Sequence, residues 1–331
     1  MPASLTSTVP LPAGRLLSLA AVALLLVLPA LLGDYALHLA VSAGLMALGA
    51  MGLTILSGTA GLPSLGTAAF LAIGGFTAGI VATYLGLGLM PAMLLAALLG
   101  ALVGALVAGA TLRVSGLYLA VGTLALQHLV AVVATDLDLK LTFAAGFTLD
   151  VPDIFGWSVD TPLRWWAVTV VLGLAVYGLL RWLTRGAAGR EWRLLREHPA
   201  AAQALGVSST RSRLGVFALS SALIGAAGVV SAYYLGSVQA GNYTIHVAVA
   251  YLAVVALGGA GSMGGAVLAS VAVILLPAAL SAALRWFGAD AASRVAGVEN
   301  LVLGLILALS LTSRRGLLRQ WLRGAKERTR G

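Results

Sequence analysis

The sequence predicts an all-α integral membrane protein of about ten transmembrane helices, with both termini in the cytoplasm. Three observations carry this expectation. The 331 residues are 60% hydrophobic and only 9% charged, against about 25% charged residues in a soluble domain. The mean hydropathy is +1.01. The apolar residues also gather into runs of the length a bilayer demands, roughly 20 residues for one helix. The 41 glycines suit helices packed in lipid, where small residues let backbones approach closely.

Taken in order, the apolar runs lie at 16–32, 35–57, 66–85, 90–112, 114–135, 163–184, 214–235, 246–260, 265–284 and 294–312. The first follows Met1–Gly14 and Arg15, and it reads as a span rather than a cleaved leader, because no small-residue cleavage site precedes a soluble domain. Between the second and third runs, Gly58–Gly79 is too rich in glycine for a plain span, and Pro63 breaks or kinks a helix there. A broken helix at membrane depth is tolerated where it lines a cavity. Its free N-terminus offers backbone N–H groups to an anion such as a substrate carboxylate. On that reading Ser57, Ser64 and Thr67 face the solute path. A tight helix-packing face accounts for the same glycines.

The fifth run opens on Leu112–Gln127, with Arg113 marking the inner membrane surface and Tyr118, Thr123, Gln127 and His128 as polar groups on a span. They are candidates for the translocation path. Interfacial anchoring of Tyr118 and Tyr84, and bonding of Gln127 and His128 to a neighbouring helix, are the structural alternatives. The 136–164 loop carries Asp136, Asp138, Asp150, Asp153 and Asp160 against Lys140 and Arg164, which places it outside. After the sixth run, Arg181–Arg213 holds seven arginines against Glu191 and Glu197, the pattern of a cytoplasmic segment. Late in the chain, Ala256–Gly265 sets glycine pairs around Ser262 and reads as a turn or a re-entrant loop beside the path. The tail, with Arg314, Arg315, Arg319, Arg323, Lys326, Arg328 and Arg330, is again cytoplasmic. The parities of the acidic loop, the basic stretch and the tail agree on N-in, C-in. The chain is then one transmembrane domain, 1–331, with a cytoplasmic loop at 186–213 and a basic tail at 314–331.

A short echo runs through the sequence: Gly61-Leu-Pro-Ser64-Leu-Gly66 and Gly259-Ala-Gly-Ser262-Met-Gly264 share G-x-x-S-[LM]-G. Transporters are often built from internal repeats. The predicted topology sets both copies on one side of the membrane, unlike an inverted repeat.

Several function classes are excluded. The chain has no cysteine, so thiolate–metal and disulfide chemistry are closed to it. Its four histidines, His38, His128, His198 and His246, show no metal-site spacing. The sequence has neither G-x-x-x-x-G-K-[ST] nor H-E-x-x-H, so it is read as no enzyme, binding no cofactor itself; ATP would be hydrolysed by partner subunits. Intramembrane acids are scarce: Asp34 and Glu299 sit near span ends, which disfavours an ion-coupled carrier. The net charge of +9 is concentrated beside spans, so no nucleic-acid partner is expected.

Within the basic stretch, Glu197-His-Pro199 starts a short helix with proline in its first turn, and Gly206 ends it. A compact, small-faced helix flanked by arginines suits a cleft on a cytoplasmic partner. A lipid-headgroup loop that only sets orientation, or a regulatory segment, fits the same residues.

Four ordered strings carry a resemblance: GLPSLGTAAFLAIGGFTA (61–78), LRVSGLYLAVGTLAL (112–126), GREWRLLREHPAAAQALGVSSTRSRLGVFALSSALIGAAGVVSAYYLG (189–236) and VVALGGAGSMGGAVLASVAVILLP (254–277). With an E-x-x-A-A-x(n)-G cytoplasmic segment followed by G-G-x-G-S-x-x-G, the chain resembles permease subunits of bacterial ABC importers for branched-chain, hydrophobic amino acids, in the M-type of the two paired permeases. The resemblance implies a multi-pass protein of the bacterial inner membrane, of ABC importer permease type. Its implied partners are a second permease in a heterodimer, two cytoplasmic ATP-binding subunits and an extracytoplasmic solute-binding protein. Arg196, Glu197, Ala201, Ala202 and Gly206 are then the residues coupled to an ATPase, and Ser64, Thr67, Tyr118, Thr123, Gln127 and Ser262 those of the translocation path. The chain departs from the family at 140–150, where KLTFAAGFTLD replaces a glycine-rich L-T-x-G-x-x-G-L-x-x-I-P pattern. Related systems carry urea, short amides or aromatic acids, and these solutes stand as alternatives. An ion-coupled secondary carrier and a membrane enzyme or scaffold are the readings from other classes.

Overall fold

The computed structural model describes residues 33–111, 117–154, 156–259 and 261–285, with Gly304 standing alone beyond them. The runs expected at 16–32 and 294–312, together with Arg113, Glu299 and the basic tail, lie outside the described residues.

Apolar composition alone drives most of the chain into helix, because a backbone buried in lipid must satisfy its own polar groups. Helix α1 (Asp34–Leu53) runs into a single π turn (Thr54–Thr59) and then breaks. Helices α2 (Thr67–Leu85), α3 (Leu89–Ala110) and α4 (Leu117–Thr142) follow. A short irregular segment carries strands β1 (Phe147–Thr148), β2 (Asp153–Ile154) and β3 (Trp157–Ser158). Helix α5 (Pro162–Arg185) leads to two short helices, α6 (Ala187–Glu197) and α7 (Pro199–Ala204). Then come α8 (Ser209–Leu235), β4 (Ser237–Val238), a 3-10 turn (Ala240–Asn242), α9 (Ile245–Gly258) and α10 (Met263–Arg285). Among the described residues, seven helical segments are long and apolar enough to cross a membrane: Asp34–Thr59, Thr67–Leu85, Leu89–Ala110, Tyr118–Thr142, Pro162–Arg185, Ser209–Leu235 and Ala240–Gly258. The apolar stretch Met263–Ala279 is shorter. These correspond to the eight runs predicted between 35 and 284.

Two predicted boundaries move, because charges find partners on one helix and a serine caps the other. The 136–164 loop begins only after Thr142. Lys140 Nζ pairs with Asp136 Oδ2 at 2.7 Å one turn away, and the Asp138 carboxylate accepts from the Thr142 hydroxyl at 2.6 Å and the Ala240 amide at 3.1 Å. Helix α8 starts at Ser209 rather than 214, with the Ser208 hydroxyl accepting from the Arg211 amide at 3.4 Å as its N-cap.

Helix α8 occupies the centre, against α1, α2 and α3. The contact with α2 is backbone on backbone: a Cβ at Gly74 would overlap the Gly225 carbonyl oxygen, and one at Gly228 would overlap the Leu71 carbonyl oxygen. On the α3 side, a Cβ at Gly100 would lie 2.6 Å from the Ser221 carbonyl oxygen. This is the small-residue packing that lipid-embedded helices require. Phe70, Phe217, Met51 and Ile224 fill the space left between the backbones. At one end of the bundle β1 pairs antiparallel with β4, Phe147 opposite Val238, which ties the segment after α4 to the end of α8.

Candidate functional site

The break after α1 is built by its own sequence. In the π turn and its exit, the Ala60 amide donates to the Ile55 carbonyl and the Leu62 amide to the Leu56 carbonyl, both at 3.0 Å. The Gly58 carbonyl is therefore left over. Leu62 already spends its amide on Leu56, and Pro63 has no N–H to offer. Arg196, the penultimate residue of α6, supplies the missing donor: its guanidinium Nη1 donates to Gly58 O. The arginine stem runs over Gly61, where φ is +70° and a Cβ would sit 2.7 Å from Arg196 Cγ. Glycine serves there on two counts, the left-handed backbone and the close approach.

Around this contact the structure collects most of the predicted path residues. The Leu65 amide donates to Thr123 Oγ1 at 2.9 Å, which anchors the loop before α2 on α4. The Ser64 hydroxyl accepts from the Gly66 amide at 3.3 Å, and Ser64 is buried. Thr67 is the first residue of α2, a helix start without a side-chain cap, and its buried hydroxyl has no partner. The Gln127 amide donates to the Tyr243 carbonyl at 3.0 Å, while its oxygen has no partner. Ser57 keeps an unpartnered hydroxyl too. Ser262 caps α10 from the other side: its hydroxyl accepts from the Gly265 amide at 3.2 Å. A Cβ at neighbouring Gly261 would lie 3.5 Å from Gly58 O. The two G-x-x-S-[LM]-G strings thus enter helices at the same end of the bundle, beside one another.

Tyr118 is the exception among these residues. It is 76% exposed on the outer face of α4 and does not join the buried group.

The predicted coupling segment folds differently from its expected extent. Glu197 closes α6 instead of opening the short helix, which begins at Pro199. Proline at the first position and Gly206 at the end hold as expected. Gly206 has φ +80°, its amide donates to the Gln203 carbonyl at 3.0 Å, and the Val207 amide donates to the Ala202 carbonyl at 3.0 Å, the paired bonds of a glycine-terminated helix. Glu197, Ala201 and Gly206 are exposed. Ala202 is fully buried and turns toward the bundle, whereas Arg196 stays exposed while its guanidinium reaches Gly58. The outward apolar handle is Leu205, 74% exposed, which sequence reasoning passed over. Helix α6 is amphipathic, with Trp192 buried and Arg190, Arg193 and Glu197 exposed. It is pinned to the end of α5 by Arg193 Nη1 donating to the Thr184 carbonyl at 2.9 Å.

This arrangement offers no nucleophile with a base beside it. It joins a surface helix, through one arginine, to the end of the span Asp34–Thr59.

Comparison with known proteins places the chain among transport permeases. Residues 35–311 match the family model described as "Branched-chain amino acid transport system / permease component". The chain is 30% identical over 250 residues to the "High-affinity branched-chain amino acid transport system permease protein LivM" of Salmonella typhimurium, covering 68% of this chain and 59% of the relative. It is 29% identical over 249 residues to the protein of the same description from Escherichia coli, with 68% and 59% covered. The match thus spans less than two thirds of these relatives' length. No solved structure matches the chain. By the extent of the family match, residues 35–311, this chain belongs to the permease-component family of branched-chain amino acid transport systems.

Proposed function

We propose that the chain is a permease subunit of an ATP-driven importer for branched-chain amino acids or a related small solute, seated in the bacterial inner membrane. It forms the translocation path with a second permease, receives solute from an extracytoplasmic binding protein, and is driven by two cytoplasmic ATP-binding subunits. The segment 186–213 is its cytoplasmic coupling loop, and the whole chain has about ten spans with both termini inside. The observation that carries this reading is the Arg196–Gly58 contact, which joins the surface helix pair directly to the end of a spanning helix, so that movement at one can reach the other. Exposed Glu197, Ala201, Leu205 and Gly206 form the face offered to an ATPase. ATP-driven closure of the partner pair then shifts α7, and Arg196 carries the shift to the π turn.

The test is co-purification of the chain expressed beside its genomic neighbours. Retention of an ATPase and ATP-dependent leucine uptake in reconstituted vesicles are expected. A complex that never holds an ATPase ends the reading. Uptake of urea, short amides or aromatic acids in place of leucine would move the solute class. The departure at 140–150 makes that comparison worth running.

A further inference from the structure

Helix α4 differs from the other exposed spanning helices. The outer faces of α3 and α5 are apolar throughout their middle turns: Leu94, Leu98 and Leu102 on one, Val171 and Leu174 on the other. Helix α4 instead exposes His128, Thr135 and Asp136, interleaved with Val132 and Leu139. At 3.6 residues per turn these five positions fall within about 100° of arc. Exposed Tyr118 lies at the edge of the same arc. Gln127 and Thr123 point to the opposite side, into the bundle. His128 sits eleven residues into the helix, about 16 Å along its axis, which is mid-membrane depth. A titratable side chain at that depth faces a partner or water and not lipid tails. The same face carries an open groove of about 420 Å³ lined by His128, Ala131, Val132, Thr135, Asp136 and Leu139. That volume lies in the range of small-molecule sites.

We propose that this stripe on α4 is the wall of a water-filled solute path and that its outer end holds a zwitterionic, apolar α-amino acid. The inference rests on the importer reading above. Asp136 and Lys140 form an exposed ion pair one turn apart, 2.7 Å between Nζ and Oδ2, with the two side chains 55% and 70% exposed. An exposed pair of this kind is weakly held. An amino acid presents an ammonium and a carboxylate on one carbon, so it can exchange with that pair, ammonium to Asp136 and carboxylate to Lys140. Val132 and Leu139 then flank the branched side chain, and Thr135 and His128 continue a polar track inward. The Lys140 end of α4 is the end remote from the loop that Arg196 grips, since the Leu65 amide bonds Thr123 near the start of the helix. It is therefore the end at which delivered solute arrives.

The natural absence of cysteine allows a direct test. His128→Cys and Thr135→Cys, with Leu98→Cys and Leu174→Cys as references, are expressed in the full complex and exposed to a membrane-impermeant maleimide in leaky vesicles. The expected result is labelling of the two α4 positions about tenfold faster than the references, with excess leucine slowing labelling at Thr135→Cys. Labelling at both α4 positions as slow as at Leu98→Cys, whether from lipid or from a dry contact with a second permease, overturns the water-filled wall. Fast labelling that leucine leaves unchanged overturns the solute site. Leucine uptake by the parent chain in sealed vesicles of the same complex keeps the two readings apart. Uptake with an unlabelled stripe removes the stripe and leaves the importer, whereas a parent complex without uptake counts against the importer itself.

Discussion

The guanidinium of Arg196 donates to the backbone carbonyl of Gly58, across 138 positions of sequence, and its stem covers Gly61. One residue thereby ties a helix at the bundle surface to the end of its first described span. A hydrogen bond from a charged donor is worth about 1.5–3 kcal/mol, or roughly ten- to a hundredfold in a step that depends on it. Arg196→Ala should therefore lower uptake at least about tenfold while the amount of chain in the membrane is unchanged. Gly61→Ala should do the same by displacing the arginine stem and straining a left-handed position. Full uptake in both variants would show that the contact is incidental to transport.

Gly206 ends α7 at φ +80°, a conformation that proline cannot adopt because its ring fixes φ near about −65°. Gly206→Pro should unwind the end of the exposed helix, and Glu197→Ala should remove its charged neighbour. Both are expected to abolish uptake without impairing membrane insertion. Retention of the ATPase, followed by pull-down, should fall in the proline variant. Normal uptake in both would remove the coupling role of this segment.

The α2–α8 contact has no room for a side chain at Gly74 or Gly228. Gly74→Ala and Gly228→Ala should each cost about 1–3 kcal/mol by overpacking, read as a lower melting temperature of the detergent-solubilised chain. Gly173→Ala, where no atom lies within 4 Å of the added Cβ, is the matched control and should leave the melting temperature unchanged or slightly raised.

Ala144 occupies the left-handed region at φ +65°, next to Phe143 at φ +55°. This is the position where the family pattern L-T-x-G has its glycine. A left-handed alanine costs roughly 1–2 kcal/mol, partly offset in the glycine variant by the freedom glycine gains when unfolded, about 0.4–1 kcal/mol. Ala144→Gly should thus stabilise the chain, by about 0.5–1 kcal/mol, with a higher melting temperature and unchanged uptake. A loss of stability would mean that the alanine methyl is itself packed.

Much of the fold was legible because lipid imposes one rule on every span. The runs at 35–57, 66–85 and 90–112 correspond to Asp34–Thr59, Thr67–Leu85 and Leu89–Ala110 within a few residues. Boundaries slipped where a charge counts as loop in one dimension but finds a helical partner in three, as Asp136 does with Lys140. The site was legible in parts. Pro63 and the glycines announced a break, and Pro199 and Gly206 announced a short helix. Nothing in the sequence connects them, because the acceptor for Arg196 is a main-chain oxygen whose exposure depends on hydrogen bonds made elsewhere. The inward turn of Ala202 was equally hidden, since an alanine carries no sign of which way it faces. Thr123 and Gln127 were read correctly as polar groups on a span, but sequence alone could not choose between the bundle side they occupy and the outer side of His128.

The acceptor at Gly58 is a main-chain oxygen and not any property of glycine itself. Half of the Arg196 contact is consequently invisible to substitution at the acceptor: a different side chain at 58 would keep the oxygen in place. The mutable partners are the arginine and Gly61, whose missing side chain leaves room for the arginine stem. Divergent relatives should therefore be compared at paired positions 61 and 196, where a side chain at one and the arginine at the other exclude each other.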